Sequence, residues 1–219
     1  MPQPPAHPRQ PGAPDGWFDA AAARAIIDVQ HARVRATAYA DDRVILGVWA
    51  IAWLVGYGLL WASAGNGVER IPRWAWTSFG VLLMSAVVTT IGHAVTRMSG
   101  VDGVSRRTRA VYGWTWFVAF GAGQALVGGV ARAGAPNDVI ALAANGVSAL
   151  IVAVMYMAGG MLWRDRAQFG LGVWMAVVAA AAALVGLPGT FAVMCLAGGG
   201  GMAVGVLVAH VARARGAAA

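Results

Sequence analysis

The sequence predicts an all-α fold: a polytopic membrane helical bundle of six transmembrane helices, preceded by a cytosolic amphipathic helix. Three observations carry that prediction. The 219 residues are 59% hydrophobic and only 11% charged, with a mean hydropathy of +0.64, whereas a soluble domain carries about 25% charged residues. The apolar residues gather in runs of about 20, the length a helix needs to cross a bilayer core. The arginines sit between those runs. Val111–Val130 (VYGWTWFVAFGAGQALVGGV) shows all three features: it is uncharged, holds one amide, Gln124, and follows Arg97, Arg106, Arg107 and Arg109.

Residues 1–14 hold six of the nine prolines. Proline removes backbone donors, and the segment has little apolar side chain to bury, so it is expected to be a disordered cytosolic tail. It lacks the apolar region of a signal peptide. Residues 15–43 are expected to form a cytosolic interfacial helix, with Asp15 as N-cap of Trp17–Asp41. Phe18, Ala22, Ala25, Val29, Ala32 and Ala36 recur at helical spacing, opposite Arg24, Asp28, His31 and Arg35. That pattern suits a helix lying in the interface plane.

The transmembrane domain is expected over 44–212, with 213–219 as a cytosolic tail. Its spans are read at about Val44–Ala62, Trp74–Val95, Val111–Ala131, Val139–Leu162, Phe169–Leu187 and Thr190–His210. The Pro188–Gly189 link is so short that spans five and six must form a hairpin. With the N-terminus inside, 13 of the 16 arginines fall on inner segments and three, Arg70, Arg73 and Arg132, on outer links. The positive-inside rule then places both termini in the cytosol. Nine tryptophans from Trp49 to Trp174 lie mostly near span ends, as an aromatic belt does. The odd spans open alike (Arg43…Trp49, Arg109…Trp114, Arg166…Trp174), and two even spans close alike at His93…Arg97 and His210…Arg213, which suggests three parallel hairpins.

The same inventory excludes chemistry. No lysine is present, so no Schiff base to retinal or pyridoxal forms on this chain. The single cysteine, Cys195, excludes an intrachain disulfide or a cysteine cluster and reads as a small buried hydrophobe. No hydrolase, metalloprotease or nucleotide-binding motif occurs, so no enzyme, cofactor or metal is expected. The net charge of +7 reads as topology and not as nucleic-acid binding. None of the nine acids lies mid-span, which argues against a proton-coupled carrier with a buried carboxylate. Asn137 and Asp138 read as a cap on span four.

Polar residues within spans are therefore the candidate sites. Gln124 and Asn145 are expected at similar depth on neighbouring antiparallel helices, bonding each other or lining a polar cavity with Ser148. Arg97, Arg106, Arg107 and Arg109 are candidates for binding a cytosolic partner or anionic lipid. His93 and His210, at the inner ends of their spans, are the residues a haem or metal reading would use. Stripes of small residues, Ala197/Gly201/Gly205, Gly121/Ala125/Gly129 and Ala52/Gly56, suit close helix packing or a homodimer face.

Val44–Trp61, Arg132–Leu142 (RAGAPNDVIAL) and the run from Phe169 through the four glycines of Gly198–Gly201 resemble small six-span integral membrane proteins of unknown function from high-GC Gram-positive bacteria. That resemblance implies a bacterial plasma membrane and supplies no catalytic residues. The interfacial helix, six spans and basic link between spans two and three also resemble permease subunits of ABC exporters. There, the basic link docks an ATPase. This chain departs from the permeases at Pro188–Gly189, where they carry an extended extracellular segment. The functional expectation is a transporter, or a component of one, for a small molecule or lipid. The alternatives are a membrane scaffold or sensor and a haem or metal protein.

Overall fold

The computed structural model describes residues 20–65, 67–98 and 104–217. The chain divides into two units, Met1–Asp41 and Asp42–Ala219. In the first unit the described residues belong to α1 (Ala20–Ala64). No proline or glycine occurs between Ala20 and Leu46, so nothing in this stretch opposes helix. Arg24, Ile26 and Val29 are exposed there. The proline-rich tail, the Asp15 cap and residues 17–19 lie outside the described residues.

The second unit contains the rest of α1, followed by a single 3₁₀ turn at Val68–Arg70. Then come α2 (Arg73–Met98), α3 (Val104–Arg132), α4 (Asn137–Leu162) and α5 (Arg166–Val185). The last crossing is composite: α6 (Gly189–Val193), a π-helical turn over Met194–Gly199, and α7 (Gly200–Ala217). Among the described residues there is no strand. Six segments are long and apolar enough to span a membrane: Arg43–Ala64, Arg73–Thr96, Arg107–Arg132, Asn137–Leu162, Arg166–Val185 and Gly189–Val211. They match the six expected spans to within a few residues. The chain is thus a multi-pass helical membrane protein.

In lipid, helices associate through close packing and buried hydrogen bonds, since the tails are as apolar as leucine. The three hairpins use this unequally. Helices α4 and α5 share the most extensive contact, α3 packs on α4, and α5 packs on the last crossing. Gly160 and Gly172 make the α4–α5 approach possible. A methyl group on Gly172 would stand 2.6 Å from the Met157 amide nitrogen, and one on Gly160 would stand 2.5 Å from that of Phe169. The π turn seats against α1. Gly198 faces the Trp53 ring, Gly199 faces Leu54, and the Cys195 thiol lies 3.2 Å from the Leu54 carbonyl oxygen. Leu60, Met175, Phe191 and Met194 are wholly buried in this core.

By contrast, only 6% of the apolar window of α2 and 11% of that of α3 are buried, against 33% in the first and last spans. Most of the surface of those two helices is exposed in the single chain.

Two local expectations are corrected. The cap position of α4 is Pro136, and Asn137 and Asp138 already lie in the helix; the Asp138 carboxylate takes only the Val139 N–H, 2.9 Å away. Proline at that position holds the extended conformation of a cap residue but has no side-chain acceptor to offer the first-turn amides. Trp53, assigned to the belt, is buried, because the glycines of the π turn open a slot for its ring. The side chains of Trp61, Trp74, Trp114, Trp163 and Trp174 are exposed.

Candidate functional site

A buried bond between two polar side chains joins α1 to α4. The Tyr57 hydroxyl donates to Asn145 Oδ1 at 2.7 Å, and both side chains are buried. Asn145 Nδ2 donates back to the Ala141 carbonyl at 2.8 Å. This second bond fixes the amide orientation, so its oxygen is presented to Tyr57. Tyr57 sits between Gly56 and Gly58, and Gly56 leaves room for the Phe79 ring of α2.

Aromatic rings close around the pair. Tyr57 lies 5.3 Å from Trp53, 4.7 Å from Phe79 and 6.4 Å from Phe191, centroid to centroid. Phe191 meets Trp76 edge-on at 6.1 Å. Next to it the buried Thr190 hydroxyl donates to the Ala182 carbonyl at 2.8 Å. Phe191 is held there by the tight turn after α5, where Gly186 has φ 70° and the Thr190 amide returns to the Gly186 carbonyl.

Above this plug, at the end of the bundle away from the α2–α3 link, opens a cleft of about 350 Å³. Its walls come from the 3₁₀ turn, the first turn of α2 and the first two turns of α4, including Glu69, Ile71, Trp76, Asn137, Ile140 and Ala141. Two of these residues touch the plug directly: Trp76 through Phe191, and Ala141 through its bond from Asn145. Tyr57 and Asn145 are not among the cleft's walls; the cleft reaches their neighbours Ala141 and Ala144 and is separated from the bond by packed side chains. A second groove, of about 360 Å³, lies on α2 alone along Val81, Met84 and Val88. Its hydroxyls, Ser85 and Thr89, are turned onto carbonyls of their own helix.

The sequence-derived site residues are divided by the fold. Gln124 Nε2 donates to Ser148 Oγ at 3.1 Å, on the exposed side of the α3–α4 contact. Asn145, three residues from Ser148, points inward to Tyr57 instead. Gln124 and Asn145 thus take separate partners. Arg107 and Arg109 are exposed at the opposite end of the bundle. The side chains of Arg97 and Arg106 lie outside the described residues. His210 Nδ1 accepts from the Arg43 guanidinium at 3.2 Å; a cation beside the ring is poor company for a metal ion. Among the described residues no three His, Cys, Asp or Glu side chains gather as a metal site would need. The glycine stripes divide too. Gly201 abuts the Trp174 indole, whereas a methyl group added at Gly121 or Gly129 would meet nothing within 4 Å.

Sequence reasoning passed over Tyr57, Phe191, Trp76 and Glu69. Two signals were present: a tyrosine between glycines in the middle of a span, and the only glutamate in the chain. The site and fold define a multi-pass helical membrane protein with an end-facing cleft and, nearby, a buried tyrosine–asparagine bond. No protein-family model, curated protein or solved structure matches this chain.

Proposed function

We propose that this membrane protein is a transporter, or the membrane component of one, for a small molecule or lipid, and that it works in a bacterial plasma membrane with both termini cytosolic. The observation that carries the reading is the buried Tyr57–Asn145 bond, with the end cleft opening against its neighbours Ala141 and Ala144. A polar bond buried among lipid-spanning helices is costly to leave unmet. It is therefore well suited to be exchanged for a bond to a passing ligand. The arginine count supports an outward-facing cleft. In this mechanism ligand enters beside Trp76 and Ala141, the Phe191–Trp76 contact opens, and the Tyr57–Asn145 bond breaks and reforms behind it. The packing of Gly198 and Gly199 on α1 supports the last crossing as the moving element, because π turns in helices often occur at functional sites.

The test needs no known substrate. In a Cys195→Ser background, Asn145→Cys should react with a membrane-impermeant thiol reagent from outside intact cells and from the inner side of inverted vesicles. Absence of reaction from both sides refutes alternating access. Once a substrate is found, Tyr57→Phe with Asn145→Leu should abolish liposome uptake while leaving insertion intact.

A second reading, a scaffold that holds a cytosolic partner such as an ATPase or anionic lipid, is favoured by the exposure of Arg107 and Arg109. Arg106→Ala with Arg107→Ala should then weaken co-purification without loss of the folded bundle.

A further inference from the structure

The walls of the end cleft carry a chemical preference that the transport reading alone does not specify. Of its lining side chains only Glu69 is charged, Trp76 supplies an indole, Asn137 an amide, and Ile71, Ile140 and Ala141 an apolar wall. Glu69 is exposed. Among the described residues no guanidinium lies within ion-pair distance of its carboxylate, although Arg70 and Arg73 are near in sequence. Asp138, in the first turn of α4 next to Asn137, is a second carboxylate at this end, which also carries Arg70, Arg73 and Arg132, so the preference for a cation is local to the Glu69 side of the cleft. A carboxylate without an internal counter-ion, beside an indole and above an apolar floor, matches an organic cation. The carboxylate meets its charge, the ring attracts it through its quadrupole, and the aliphatic wall takes its carbon. The volume is at the small end of ligand sites.

We infer that the cleft binds an amphiphilic organic ammonium, with Glu69 as counter-ion and Trp76 as ring partner. The inference rests on the transport reading for its physiological purpose but not for its test. Such an ammonium has two sources, a free solute or the ethanolamine headgroup of a lipid.

The full chain in phosphatidylglycerol nanodiscs should bind benzyltrimethylammonium, measured by isothermal titration calorimetry, and should not bind uncharged benzyl alcohol comparably. E69Q should weaken the cation about tenfold, and E69D should retain most of the affinity. Glu69 is a surface side chain, so these variants fold, and unchanged circular dichroism and elution volume verify it. Equal binding of the alcohol, or of the cation by wild type and E69Q, overturns the inference. Phosphatidylethanolamine added at a fixed phosphatidylglycerol fraction, in place of an uncharged glycolipid, separates the sources at constant surface charge: a headgroup occupant lowers the apparent affinity for the probe, whereas a free solute leaves it unchanged. Binding that passes these tests in a protein whose Asn145→Cys variant is inaccessible from both sides keeps the site and removes the transport reading. Accessible Asn145→Cys with E69Q-insensitive binding does the reverse.

Discussion

Substituting Gly172 by alanine asks how much of this bundle is held by the closeness of α4 and α5. The added methyl would stand 2.6 Å from the Met157 nitrogen and 2.8 Å from the Ala153 carbonyl oxygen, against an ordinary contact of 3.4 Å or more. Both obstacles are backbone, so no rotamer change relieves them. The helices must part by about 0.8 Å, and a gap of that size forfeits roughly a quarter to a half of each dispersion contact it opens. Overpacking of this kind costs about 1–3 kcal/mol. Alanine is intrinsically better than glycine in a helix by about 0.5–1 kcal/mol, so the net loss lies between about 0 and 2.5 kcal/mol and centres near 1. Gly121→Ala is the matched control: nothing lies within 4 Å of its new methyl, and it should be neutral or stabilising. Reversible unfolding in mixed micelles by SDS, followed by tryptophan fluorescence, reads both. If Gly172→Ala and Gly121→Ala shift the midpoint equally, close backbone approach is not what joins α4 to α5.

Three further outcomes are expected. Tyr57→Phe leaves Asn145 Oδ1 buried without its donor and should lower stability by about 1–2 kcal/mol in the same unfolding assay; Asn145→Leu in that background should cost little more, since the pair is already broken. Asp165→Ala removes the acceptor of the Ala167 and Gln168 amides at the start of α5, with an expected loss of about 1 kcal/mol read as a lower thermal midpoint in detergent. A reporter fused after Ala219 should be active only in the cytosol, and a periplasmic or extracellular signal would invert the bundle and move the cleft to the inner face.

The crossings were legible in the sequence because lipid punishes charge so heavily that arginines can stand only between them. What hydropathy cannot encode is rotation about each helix axis, since core-facing and lipid-facing positions are equally apolar in a membrane. Asn145 and Ser148 show the consequence. They are less than one turn apart, yet one bonds Tyr57 in the core and the other bonds Gln124 on the exposed side. The glycine stripes are ambiguous for the same reason: identical spacing packs Gly201 against Trp174 and leaves Gly121 open. Tyr57 was hidden differently, because its partner lies 88 residues away and no local pattern links them.

The π turn over Met194–Gly199 has one more implication. Each such turn carries a residue beyond the regular helical repeat, and here the Ala197 carbonyl is satisfied by the Trp174 indole, 3.0 Å away, at this irregularity. Because the turn absorbs that residue locally, a chain with one glycine fewer in Gly198–Gly201 would recover ordinary helical winding with His210 still near Arg43, whereas one residue lost from regular helix would turn everything after it by about 100°. What such a chain would lose is the local slot that seats Trp53 and Leu54. A short run of glycines thus lets the last crossing fit its neighbour without disturbing the winding beyond it.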